Sequence, residues 1–247
     1  GNFNGIDLAP PAITYTALGN TASTANRTLV ATLTDNTGVP TSGGLQPRIY
    51  YKKNAGSWFS SQGALASGSG ANGVWNFTIV AADMGGVTSG DTIYYYVIAQ
   101  DTLGTPNIGS NPAGVVATDV NTVTTPPASP NTYVIVAGFS GSYNVGVGET
   151  YTSLTNAGGI FEAINAGALT GNVTINITTD LSGELGTNAL NQWAEDGVGG
   201  YTMLIKPSGA PRTVTGSNAG ALIRLNGADR VRIDGSTAAT FADAVGG

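Results

Sequence analysis

The chain has 247 residues, of which 10% are charged, with a net charge of −6 and neither histidine nor cysteine. Without cysteine there is no disulfide scaffold, no thiolate chemistry and no Cys/His zinc site. Without histidine the usual Ser–His and Cys–His nucleophile pairs are excluded. The acidic balance and scattered Lys and Arg exclude a nucleic-acid partner, which needs a basic patch. No apolar run approaches the ~18 residues of a membrane span, so no membrane insertion is expected.

An average soluble domain is about 25% charged. Here Gly, Thr, Ser, Asn and Ala take the place of charge, which suits an extracellular or cell-surface β-protein. No signal peptide is visible, and the opening GNFNGIDLAPP reads like the tail of something earlier, as in a mature or excised fragment.

In chain order, 9–123 is expected to be an all-β domain. The first strand is 12–18 (AITYTAL), and the second is 27–34 (RTLVATLT), with Leu29, Ala31 and Leu33 on one face. Residues 35–38 (DNTG) form a turn. Residues 48–53 (RIYYKK) pair with 57–60 (SWFS) across Asn54, Ala55 and Gly56. In 74–80 (VWNFTIV), Trp75, Phe77 and Ile79 share a face. Residues 92–100 (TIYYYVIAQ), β-branched and aromatic throughout, read as a central strand in which Tyr95 and Val97 share a face. A last strand is expected within 113–124. Short strands, Gly-rich turns and no helix signal predict a sandwich of immunoglobulin or fibronectin III type, with Trp58 or Trp75 filling the core.

The Pro-rich 124–131 (TTPPASPN) reads as a stiff linker, and a new strand starts at 132–136. A short helix follows, with Thr155 as N-cap and Ile160, Phe161 and Ile164 as its apolar stripe. In 172–179 (NVTINITT), Val173, Ile175 and Ile177 point inward. Between 201 and 236, apolar pieces around Met203 and Ile205, Val214, Ile223 and Leu225, and Val231 and Ile233 recur about every nine residues, separated by Gly, Pro, Ser or Asn. This is the rhythm of a β-solenoid, with Ile175 to Ile205 spanning one three-strand turn. The helix is expected to cover its first coil. The predicted fold is thus an all-β chain: a sandwich at 9–123, a linker at 124–131, and at 132–247 the helix-capped start of a right-handed parallel β-helix.

The stretches AITYTALGNTASTANRTLVATLTD (12–35) and DTIYYYVIAQDTLGTPNIGSNPAG (91–114) resemble a sandwich module of very large secreted and surface proteins of Bacteroidota. GSYNVGVGETYTSLTNAGGIFEAIN (141–165), LIKPSGAPRTVTGS (204–217) and ALIRLNGADRVRIDGS (221–236) resemble the β-helix modules that often follow it. The resemblance implies export by a type IX system and a role in adhesion or as an accessory to polysaccharide use. Under it, Asp101-Thr102-Leu103 and Asp91-Thr92-Ile93 match an O-glycosylation pattern, with Thr102, in a loop, the better candidate and Thr92 the second.

Several side chains are candidates for chemistry. Asp229, Arg230, Arg232 and Asp234 crowd one strand edge, where a sugar-binding face competes with a solvated one; Val231 and Ile233 point inward. Glu184, Glu195 and Asp196 fall in the excursion 180–200, where a glycosidase would need two positioned carboxylates. Calcium is a candidate ligand in that excursion or at Asp35 and Asp83, and no other cofactor is expected. Tyr94, Tyr95 and Tyr96 offer either a sugar platform or one buried tyrosine with half-buried neighbours.

The expected role is a non-catalytic structural or adhesive module of a secreted surface protein. The alternatives are the non-catalytic part of a polysaccharide lyase or glycoside hydrolase, and a subunit of a surface filament. The coil after Val231 lacks a cover, because 237–247 offers only Phe241 and Val245. The expected partners are therefore further coils of the same chain or another subunit at that open end, and polysaccharide; residue 247 is not expected to end the folded unit.

Overall fold

The structure is a computed structural model that describes residues 7–239. These residues are all-β and divide into two compact units, one of 7–20 and 24–135, the other of 21–23 and 136–239.

The first unit holds β1 (Ala12–Thr14), β2 (Arg27–Thr34), β3 (Arg48–Lys53), β4 (Phe59–Gln62), β5 (Ala64–Gly68), β6 (Asn72–Ile79), β7 (Thr92–Gln100), β8 (Ile108–Asn111), β9 (Val116–Ala117), β10 (Val123–Thr125) and β11 (Asn131–Val134). One antiparallel sheet runs β1-β2-β6-β5 and the other β11-β7-β3-β4, with β8 also on β7. Period-two alternation explains the core. Leu29, Ala31 and Leu33 of β2 and Trp75, Phe77 and Ile79 of β6 pack with Ile49 and Tyr51 of β3 and with Ile93, Tyr95 and Val97 of β7. Strand β7 is the centre of its sheet, flanked by β3, β8 and β11. Trp75 fills the core, whereas Trp58 is only half-buried and packs edge-on to Tyr96, away from that cluster.

Three expectations about boundaries shift. Strand β1 is short: after Thr14 the chain leaves the ladder, and Tyr15 donates its hydroxyl to the Asn111 carbonyl. The strand expected within 113–124 becomes a two-stranded ribbon, β9 with β10, apart from both sheets. The strand starting near Thr132 is β11, antiparallel to β7 with Tyr133 opposite Ile93, and Tyr133 and Ile135 are buried in the first core. The chain therefore divides after Ile135, beyond the 124–131 segment expected as a linker. The prolines of that segment carry no N–H to donate, so ladder pairing resumes only from Asn131.

The second unit holds β12 (Gly138–Val145), α1 (Ile160–Ala166), β13 (Ala168–Ile177), β14 (Leu181–Glu184), β15 (Leu190–Asn191), β16 (Ala194–Glu195), β17 (Met203–Pro207), β18 (Val214–Gly216), β19 (Leu225–Asn226) and β20 (Val231–Ile233). Every pairing among these strands is parallel: β12-β13-β17-β20 with β16 also on β13, then β14-β18 and β15-β19. This is a β-solenoid of about three turns. Val173, Met203 and Val231 are stacked in register, as are Ile175, Ile205 and Ile233, so one coil takes about 30 residues. Apolar rows fall at the same place in each coil because a parallel ladder puts equivalent residues above one another.

Helix α1 buries Ile160, Phe161 and Ile164 in the solenoid core. Its N-cap is Gly159 with no side-chain cap, not Thr155. Thr155 is buried and gives its hydroxyl to Glu184 instead. A hydroxyl five residues before the first helical residue is too early to reach the helix's free N–H groups, and the distant Glu184 carboxylate claims it. No helix among the described residues is long and apolar enough to cross a membrane. Phe241 and Val245 lie outside the described residues.

Candidate functional site

The solenoid ends, among the described residues, on three parallel strands that are paired on one side only: β18 on β14, β19 on β15 and β20 on β17. Below this edge the inward rows are closed, with Leu181, Leu190, Met203 and Ile205 all buried. On the edge the same rows are open. Val214, Ile223 and Val231 are half-buried, Leu225 is 47% exposed and Ile233 53%. The β20 backbone is anchored from below by Met203 N–H to Arg230 O at 3.0 Å and Asp234 N–H to Ile205 O at 2.9 Å.

Polar side chains repeat from coil to coil as well. Asn226 Nδ2 donates to Asn191 Oδ1 at 2.9 Å on the coil beneath, and Asn176 Nδ2 to Asn144 Oδ1 at 3.4 Å. Such asparagine ladders form where identical residues stack on parallel strands. The edge therefore continues the apolar rows of the coil beneath and, at Asn226, its amide row. The sequence shows the rows, but not which rung is last to be paired.

The charged residues singled out from the sequence are bound into the scaffold. Arg230 gives Nη2 to Glu195 Oε1 at 2.6 Å, Nη1 to Asp229 at 2.9 Å and Nε to the Tyr201 carbonyl at 2.9 Å. Arg232 pairs with Asp234. Val231 and Ile233 occupy the inward rows, as expected, but stay partly open. Burial pushes the Glu195 carboxyl up, but hydrogen bonds from Gly200 N–H, the Trp193 indole, Arg230 and Tyr201 N–H outweigh it and hold the group below its ordinary value. Asp234 is likewise lowered, first by the Ser236 N–H and then by Arg232.

Glu184, 2% exposed, accepts from Leu154 N–H at 3.0 Å, Thr155 N–H at 2.9 Å and the Thr155 hydroxyl. Asp196 accepts from the Thr21 hydroxyl at 2.9 Å and from Ala22 N–H. Glu184, Glu195 and Asp196 thus each hold backbone or a neighbouring side chain, with separate partners.

In the first unit, Tyr95 faces the core and its hydroxyl accepts Leu18 N–H at 2.7 Å. Tyr96 is buried on the opposite face, where Tyr50 stacks on it at 5.2 Å and Trp58 meets it edge-on at 5.0 Å. Lys52 Nζ lies 5.1 Å from the Trp58 ring and 5.2 Å from the Tyr94 ring. The three tyrosines are split between two faces, and the rings on the outer one pack on each other and on Lys52. Thr102 is exposed and donates to the Thr37 carbonyl at 3.0 Å, while Thr92 is half-buried at the start of β7. Asp83 accepts the Tyr51 hydroxyl at 2.5 Å, and Asp35 shapes its own turn through Thr37 and Gly38 N–H.

No family model, curated protein or solved structure matches this chain.

Proposed function

We propose that the chain is a non-catalytic structural or adhesive module of a secreted cell-surface protein, and that the open edge of its last described coil receives a further parallel β-coil. The observation that carries this is the continuation of the closed rows Val173–Met203 and Ile175–Ile205 into the open positions Val231 and Ile233. A solenoid coil buries its apolar residues only against neighbouring coils, so an uncovered rung is stabilised by the next one. Unpaired strand edges are otherwise covered in natural proteins, because they invite pairing.

An immunoglobulin or fibronectin III-like sandwich and a right-handed β-helix are the finer fold readings. Two antiparallel sheets around one core support the first, and parallel rungs of about 30 residues the second. The extracellular setting is supported by the low charge and the Thr, Ser, Asn and Gly surface. The covering coil belongs either to the same polypeptide or to another subunit, and the parallel register is what either must supply.

The test repeats residues 206–233 once, directly after Ile233, so that β20 is followed by a duplicate of the coil that follows β17. The expected result is a rise in the melting temperature of the second unit with no change in the first. Added residues that leave the second unit's stability unchanged and are cut by protease as a free tail would overturn the reading.

A further inference from the structure

Three carboxylates from distant parts of the first unit converge: Asp7 from the N-terminal segment, Asp35 from the turn after β2, and Asp101 from the end of β7. One oxygen of each lies within 4.8 Å of the others. No Lys or Arg is paired with any of them among the described residues. Asp101 is 0% exposed, and its carboxylate is held in place by Leu103 N–H at 3.2 Å, Asn107 N–H at 3.1 Å and Asn107 Nδ2 at 2.7 Å. Asp35 is fixed through Oδ1 alone, by Thr37 N–H and hydroxyl at 2.9 Å and by Gly38 N–H at 2.8 Å.

The separate observation is at Asp7. Its Oδ1 accepts Ala9 N–H at 3.0 Å, but its Oδ2 is buried, with under 1 Å² accessible, and has no hydrogen-bond partner. A buried carboxylate oxygen without a donor is costly, and two more carboxylates beside it raise that cost. Asn107 Nδ2 also donates to the Asp7 carbonyl at 3.0 Å, so the segment is brought to the cluster rather than left in solvent. A cation would meet this need, and among the described residues no Lys or Arg does so.

We propose that Asp7, Asp35 and Asp101 hold a calcium ion that ties the N-terminal segment to the first unit. The donors are all carboxylate oxygens, the hard set that suits Ca²⁺, with water completing its six to eight ligands. Magnesium demands a tighter and more regular shell than three carboxylates from separate segments offer. Of the two calcium candidates in this unit, Asp35 belongs to the cluster, whereas Asp83 accepts the Tyr51 hydroxyl and is not part of it.

The experiment is calorimetric titration of CaCl₂ into the chelator-stripped full chain, with thermal melts of wild type, Asp7→Asn, Asp101→Asn and Asp83→Asn. One saturable site is expected. At tenfold above its dissociation constant, calcium should raise the folded-to-unfolded ratio of the first unit about elevenfold. Asp7→Asn should fold in calcium-free buffer at least as well as wild type, since it removes a repelling charge, yet lose the calcium response. Asp83→Asn should keep that response. Should Asp101→Asn fail to fold, Asp7→Asn decides alone. A wild-type melt indifferent to millimolar calcium, a calcium response retained in Asp7→Asn, or an equal response to magnesium would each overturn the assignment.

Discussion

Arg230, immediately before the last strand, reaches down one coil to Glu195 and places Nη2 2.6 Å from its Oε1. Arg230 itself adopts a left-handed backbone with φ of 53°, a conformation that costs a non-glycine residue about 1 kcal/mol. The guanidinium's bonds to Glu195, Asp229 and Tyr201 hold it there and clip the top rung to the one beneath.

Both side chains of this clip remain partly solvated, so its contribution is modest. Glu195→Gln is expected to lower the stability of the second unit by about 1 kcal/mol at pH 7. Because the folded carboxyl sits below its ordinary value of 4.5, the contribution is present above that pH and is lost as pH falls through the lowered folded value. Denaturant titrations at pH 7 and near pH 3 check this. A wild-type–variant gap that is equal at both pH values would contradict it.

A larger effect is expected at Glu184. Replacing it with Ala leaves Leu154 N–H without an acceptor and Thr155 N–H with Ser153 Oγ alone at 3.2 Å, in a buried loop where each lost acceptor costs about 1–3 kcal/mol. The second unit should lose at least ~2 kcal/mol while the first melts unchanged. A loss below about 0.5 kcal/mol would mean that the loop finds other acceptors.

The first core depends on β7. Tyr95→Asp and Val97→Asp each place an unpaired carboxylate in the cluster that also holds Trp75 and Phe77, at a cost of several kcal/mol. Circular dichroism should show the first unit unfolded in both. Wild-type melting temperatures in both would contradict the assignment of this face to the core.

Gly216 is a quieter constraint. A Cβ there would sit 1.8 Å from the Glu184 carbonyl oxygen, where β18 passes β14. Gly216→Ala must shift backbone and is expected to destabilise the solenoid by about 1–3 kcal/mol. Gly220→Ala, which meets nothing within 4 Å, is the control and should be neutral.

Much of this architecture was legible from periodicity. Strands β2 and β7 fall at the expected residues, and Ile175 stands opposite Ile205 one coil later. Alternation in 27–34 fixes its buried face, the unbroken β-branched and aromatic run of 92–100 marks a central strand, and repeated apolar pairs reveal a coil. What was not legible depends on long-range pairing. The pattern around Tyr133 suits any sheet, and only its partner, β7, assigns it to the first unit. The roles of Glu184 and Asp101 were hidden for the same reason. A single carboxylate in a loop looks solvated until the N–H groups or carboxylates that surround it, far away in the chain, are known.

The most direct test of the central claim is hydrogen exchange at β20 in the 247-residue chain and in the chain with residues 206–233 repeated. In the parent, amides of Val231, Arg232 and Ile233 should exchange about a hundredfold faster than those of Met203, Leu204 and Ile205. With the added coil they should slow to the rate of the rung beneath. Equal protection of both rungs in the monomeric parent, or rapid exchange at β20 in both chains, would contradict the account.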